Sequence, residues 1–348
     1  SLNHSTDLSL TAQTAFAQLA DTTIAQEILS NVTTLSGSFA KKVIKGRDYW
    51  YFQFQGITGK LHQVYVGPTE EHVLALVEEH RAGGVQSPIE PLCRSAVVLG
   101  CAPILRRHYR VVRRLAEYGF FRAGGVLIGT HAFIALGNQL GVRWTDGNRT
   151  QDLDFAHAGR DLAIALPTTV QADVHAAVES LAQGLLPIRT LEGIPGPTYL
   201  NPKDPELRLD FLTPRTRKAV EPFVHPQLKV TLQPLAFMEY LIEAPSQSVL
   251  LGDADATVVN LPTAGRYALH KLIIFGERQG AFQAKAQKDL LQAGALLEVL
   301  WERRPWEVGE ALADLIRRGK GWRTRVARGI AALDRIAPVL EAPRRLSF

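Results

Sequence analysis

Apolar residues recur along this chain at two different intervals, and the alternation between those intervals predicts how it is organised. Over residues 10–30, Phe16, Leu19, Ile24, Ile28 and Leu29 fall at helical spacing. From Thr34 to Pro68 the pattern changes to aromatic and β-branched runs broken by Gly46, Gly56 and Gly59, which predicts an antiparallel sheet of about three strands. Glu70 to His80 reads as a short helix. Ala82-Gly83-Gly84, Ser87-Pro88 and Pro91 then read as a linker.

Beyond the linker, Ile104 to Phe121 is amphipathic, with Leu105, Tyr109, Val112, Leu115 and Tyr118 inward and Arg106, Arg107, Arg110, Arg113 and Arg114 outward. An apolar strand over 125–128 is followed by a helix from Thr130 to Leu140, a polar loop ending at Thr150, and a strand from Asp152 to Ala156. A helix is expected over 170–185 and an edge strand or hairpin arm over 190–200. Leu207 to Leu212 alternates strictly and is a strand. After Leu232 the pattern is mostly helical, with a hairpin around Gly252-Asp253 and helices near 264–278, 283–302, 305–318 and 324–337. The expected class is α+β. Residues 1–90 would hold a helix and a small basic, aromatic antiparallel sheet, 94–230 a mixed-sheet core, and 231–348 a mainly helical part.

Composition narrows this picture only a little. With 348 residues, 46% hydrophobic and 21% charged, the chain has room for two or three ordinary globular domains. It contains no apolar run of membrane-spanning length and its first residues lack a signal-peptide pattern, so a cytoplasmic protein without membrane association is expected. Cys93 and Cys101 have neither zinc nor redox spacing and read as two buried thiols. A net charge of +5 permits a nucleotide or nucleic-acid partner without requiring one.

The candidate chemistry lies in Asp152-Leu153-Asp154. On a strand, residues i and i+2 share a face, so the two carboxylates stand side by side and repel. A hard divalent cation, Mg²⁺ or Mn²⁺, is the usual way to hold such a pair. Asp210, on the alternating strand downstream, brings a third carboxylate if the two strands are neighbours. Two ions about 3.5–4 Å apart could then bind a triphosphate and activate a hydroxyl, with Asp210 helping to remove its proton. Arg149, just before the aspartate strand, could reach a phosphate or brace Asp152.

The order of apolar strand, glycine turn, helix, DxD strand and later Asp resembles the DNA polymerase beta type nucleotidyltransferase superfamily. More narrowly, Gly129-Thr130-His131-Ala132 and Arg149-Thr150-Gln151-Asp152-Leu153-Asp154 resemble the glycine-turn and carboxylate motifs of AbiEii-type and MenT-type nucleotidyltransferases. HKLIIFGERQGAFQAKAQKDL, from His270 to Leu290, is similar to that group's C-terminal block. The layout from about residue 37 to 300, including the front end GSFAKKVIKGRDYWYFQF, resembles predicted bacterial nucleotidyltransferases of the GSU type. The resemblance implies that Gly129 and Thr130 hold phosphate, that Lys271 serves the nucleotide or its transition state, and that Asp289 is the Asp of the family's Lys-Asp pair. Arg278, Lys285 and Lys288 form a looser cationic set. Ile128 stands where the pattern has its first glycine, and residues 142–148 read as an inserted loop. A toxin or defence role is implied by the resemblance alone.

Lys41, Lys42, Lys45, Arg47 and Lys60 are interleaved with Tyr49, Trp50, Tyr51, Phe52 and Phe54. Cations and aromatic faces together suit single-stranded nucleic acid. If strand alternation instead sends Tyr49, Tyr51 and about half the aromatics into the sheet's own core, the sheet is a docking element. His131 reads as a packed or capping histidine. The expected function is metal-dependent transfer of a nucleotidyl group from an NTP to a hydroxyl, with an RNA end preferred over a protein side chain. The rival is a catalytically silent nucleic-acid-binding protein that keeps the fold.

Overall fold

The structure, a computed structural model, describes residues 4–33, 37–55, 61–82, 88–145, 152–159, 172–277 and 283–346. Arg149 and Arg278, both expected at the nucleotide, lie outside the described residues, as do Lys60 and the linker residues 83–87.

In chain order, β1 (Ser5–Asp7) and α1 (Leu10–Thr33) precede an antiparallel meander of β2 (Gly37–Ile44), β3 (Arg47–Gln55) and β4 (Leu61–Pro68). Then come α2 (Glu71–Ala82), α3 (Ile89–Val98), α4 (Arg106–Glu117), β5 (Val126–Ile128), α5 (Gly129–Leu140), β6 (Val142–Trp144) and β7 (Asp152–Ala156). They are followed by α6 (Val174–Ser180), β8 (Leu186–Arg189), β9 (Pro195–Asn201), β10 (Asp204–Pro214), β11 (Phe223–Val224) and β12 (Thr231–Leu235). The rest comprises α7 (Met238–Ile242), the hairpin β13 (Ser246–Leu251) and β14 (Ala256–Leu261), α8 (Ala264–Glu277), α9 (Gln283–Arg303), α10 (Pro305–Arg317), α11 (Lys320–Ile336) and α12 (Ala342–Arg345).

The central sheet is mixed and runs β11-β12-β10-β7-β5, with β8 and β9 extending from β10. β7 and β10 are parallel, and β5 lies antiparallel to β7. Period-two alternation divides this sheet cleanly. Leu153, Phe155, Leu209 and Phe211 are buried, with the Phe155 and Phe211 rings stacked at 5.3 Å. Asp152, Asp154, Arg208 and Asp210 therefore share the opposite face.

Helix α1 packs on α3 and on the β13–β14 hairpin. Leu8, Phe16, Leu19, Ile89 and Val249 join both buried cysteines in that core. Residues 142–144, expected within an inserted loop, instead form β6, which pairs antiparallel with β1. Val142 and Trp144 are buried, and Trp144 stacks on Phe133 at 4.4 Å while its Nε1 donates to the Phe133 carbonyl at 2.7 Å. A three-residue strand is too short for its periodicity to stand out, and its partner lies at the far end of the chain.

Three further expectations are corrected. Helix α4 starts at Arg106, leaving Leu105 outside it and exposed, while His108 and Val111 join its buried face. The described part of the helix expected over 170–185 is only α6, capped by Asp173, whose carboxylate accepts from the Ala176 amide at 2.8 Å. In the meander the alternation has the opposite phase from that expected. Trp50 is buried against Val73 and Val77 of α2, and Phe52 is fully buried edge-on to Phe39, whereas Tyr49 and Tyr51 lie on the other face beside Tyr65. Among the described residues no helix is long and apolar enough to cross a membrane.

Candidate active site

The parallel register of β7 and β10 places Asp210 directly beside Asp154 and Arg208 beside Asp152. The carboxyl of Asp154 is pushed up to about 6, chiefly by burial and then by the charge of Asp210; Lys285 and Lys271 pull it down, and Asp152 pushes it further up. It presses against the start of α5, where a Cβ on Gly129 would lie 2.5 Å from Asp154 Oδ2. Gly129 also has φ +70°, so only glycine meets both demands without strain. Ile128, in contrast, has φ −125° and ψ −171° and buries its side chain. Its backbone is ordinary strand and does not require the glycine that the motif has there.

Thr130 is brought to the same turn, but its hydroxyl faces inward. It accepts from Gln292 Nε2 at 3.2 Å, and the residue is 7% exposed. The Tyr267 hydroxyl lies 3.0 Å from Gln292 Oε1 and 2.8 Å from the Gly129 carbonyl oxygen. Two helices thus fasten the glycine turn from behind, leaving the start of α5 as the part that could face an anion. Neither Tyr267 nor Gln292 stood out in the sequence. Their positions were a usable signal, since Tyr267 is one helical turn before Lys271 and Gln292 three residues after Asp289.

Helices α8 and α9 supply a cationic wall. Lys271 Nζ donates to Asp289 Oδ1 at 2.7 Å, with the two side chains only 16% and 6% exposed, and sits 5.3 Å above the Tyr267 ring. Lys288 is half-buried. Burial and the neighbouring Lys271 lower its pKa, opposed by the charges of Asp289 and Asp152. Lys271, Lys285 and Lys288 therefore all lie within electrostatic reach of the Asp152–Asp154 strand.

Asp210 is held by its own neighbours. Thr198 Oγ1 donates to Oδ1 at 2.5 Å, and Arg208 makes a two-point contact, Nε to Oδ2 at 2.8 Å and Nη2 to Oδ1 at 3.1 Å. Among the described residues no group of three or more His, Cys, Asp or Glu side chains is arranged to hold a metal ion. The sequence reading missed Arg208, although the spacing of Arg208-Leu209-Asp210 already puts both side chains on one face.

His131 is buried, its Nε2 2.9 Å from His108 Nδ1. Burial lowers the two imidazoles to about 3 and about 4, so both are neutral packing groups at physiological pH. On the meander, Lys41 pairs with Asp48 at 2.8 Å. Lys42 bonds to Gln63 and lies 4.9 Å above the Tyr51 ring, and Lys45 and Arg47 are exposed at the hairpin turn. Trp50 is 8% exposed and turned inward.

A family model described as nucleotidyltransferase matches residues 106–317, and the chain belongs to that family. The matched span begins at α4 and runs through the aspartate strands to α10. Among solved structures, the crystal structure of an antigenic nucleotidyltransferase-like protein from Paracoccidioides brasiliensis is similar at 15% identity, covering 65% of this chain and 94% of that one with a TM-score of 0.31. No curated protein matches the chain.

Proposed function

We propose that the protein moves a nucleotidyl group from a nucleoside triphosphate to a hydroxyl, releasing pyrophosphate. The observation that carries this reading is the register that sets Asp154 beside Asp210, with a glycine turn and helix start on one side and three lysines of the helices within electrostatic reach. The donor set suits Mg²⁺ or Mn²⁺. Asp152 and Asp154 are adjacent hard carboxylates on one strand face, and the register sets Asp210 beside Asp154. Asp152 and Asp154 would hold such an ion, Asp210 would join them on giving up its contact with Arg208, and the ion would supply charge to neutralise phosphate during transfer.

The chain's own groups divide the remaining work. The first amides of α5 meet phosphate oxygens, because a helix start presents unpaired N–H groups. Lys271, held in one orientation by Asp289, and Lys285 and Lys288 beside it, offset the triphosphate's charge. Asp210 takes the proton of the attacking hydroxyl as the oxygen bonds to the α-phosphorus and the bond to pyrophosphate breaks. The acceptor we favour is an RNA end. Tyr49, Tyr51 and Tyr65 with Lys42 make an aromatic, cationic face on the meander suited to stacked bases.

The test is incubation of the full chain with labelled NTPs, Mg²⁺, total RNA and lysate protein. Label enters RNA and is lost in Asp152→Asn by a factor of about a thousand or more at unchanged thermal midpoint. Label in protein instead would replace the acceptor. No transfer to either, with RNA bound independently of metal, would establish the silent nucleic-acid binder.

A further inference from the structure

The two-point contact between Arg208 and Asp210 sits inside the aspartate cluster. Arg208 lies opposite Asp152 in the register, and the charges of Asp210, Asp152 and Asp154 all stabilise its guanidinium. It is therefore a cation supplied by the protein at the place where a divalent ion would bind. Oδ2 is engaged by Arg208 and Oδ1 by Arg208 and Thr198, so a metal ion must compete with the guanidinium for the charge and most of the lone pairs of this carboxylate while the contact lasts. The Arg208 side chain is 45% exposed against 15% for Asp210, so the arginine is the partner with room to leave.

We infer that Arg208 is a positioning residue that competes with the divalent cation for Asp210, and that it releases the carboxylate when a triphosphate arrives to take its guanidinium. The inference rests on the nucleotidyl-transfer reading and adds an order to it. Metal alone meets a site in which Asp210 is already paired. Metal with triphosphate meets one in which the phosphate oxygens offer Arg208 an equivalent two-point partner. Cation and nucleotide thereby favour each other's binding, and the coupling must be reciprocal. A lysine at this position would hold Asp210 less well, because an ammonium is a point charge without the planar fork.

The experiment is titration of the metal-free full-length protein with Mn²⁺, followed by electron paramagnetic resonance, with and without a non-hydrolysable NTP. The wild-type, Arg208→Ala, Arg208→Lys and Asp210→Asn chains are compared, each first shown to keep its thermal midpoint. Arg208→Ala should bind Mn²⁺ alone about fivefold more tightly than the wild type, the scale of a half-exposed ion pair, and should lose most of the tightening that the nucleotide brings. Arg208→Lys should fall between. In the Asp210→Asn background the effect of Arg208→Ala should vanish. Unchanged or weaker Mn²⁺ binding in Arg208→Ala overturns the inference. If the wild type still transfers nucleotide under Mg²⁺, that result leaves the function standing. Absence of Mn²⁺ binding in every variant, together with absence of transfer, overturns the function and the inference with it.

Discussion

The site has two walls, each built around one ion pair of nearly the same length. On the helix side Lys271 meets Asp289 at 2.7 Å, and on the strand side Arg208 meets Asp210 at 2.8 Å. They differ in exposure, 16% and 6% against 45% and 15%. Water competes poorly for the first pair and readily for half of the second. The difference teaches that exposure, more than distance, separates a pair that forms part of the scaffold from one that can exchange partners.

The largest expected effect would break this comparison if it failed. Asp289→Ala leaves Lys271 enclosed without its carboxylate and should destabilise the protein by about 3–4 kcal/mol in urea titration, whereas Asp210→Ala should cost under about 1 kcal/mol. Equal losses would mean that the pairs do not differ as their exposure says. Next, Gly129→Ala combines a positive φ with a Cβ driven into the Asp154 carboxylate, and a loss of about 3 kcal/mol is expected.

A smaller effect has the opposite sign. The Asp154 carboxyl is raised from 3.8 to about 6 in the folded protein, so the fold binds a proton there more tightly than the unfolded chain does. Below about pH 4 both states are protonated and nothing is lost; stability then falls as pH rises through about 6 and stays lower above it. Metal-free Asp154→Asn should therefore be more stable than the wild type by on the order of 2 kcal/mol at pH 7.5, with the gain shrinking toward zero at pH 4. Parallel thermal melts at the two pH values would show it, and a gain independent of pH would assign it to packing instead. Smallest of all, Arg208→Ala should change the melting free energy by about 0–1 kcal/mol, so that its effect appears in Mn²⁺ affinity and not in stability.

Much of the strand wall was legible in advance because strand alternation is local. Asp152 and Asp154 on one face, with Leu153 and Phe155 on the other, follow from period two, as do the opposed Leu209 and Asp210. The long helices after Ala264 were legible for the same kind of reason. The meander shows where local reasoning stops. Its alternation was plain, but which phase faced inward depended on α2, whose Val73 and Val77 receive Trp50 and leave Tyr49 and Tyr51 on the other side. β6 escaped notice because its partner is the first described strand of the chain.

What the sequence determined by itself, then, was which residues could share a face: the paired aspartates, the glycine turn before a helix, and the alternating strand that carries Asp210. Tertiary structure decided which faces meet. The parallel register set Asp210 beside Asp154, Arg208 claimed Asp210, and Tyr267 and Gln292 turned Thr130 inward to fasten the glycine turn. The physical reason is range. Side-chain direction repeats every two or 3.6 residues along the backbone, whereas register and pairing are chosen by burial between segments far apart in the chain.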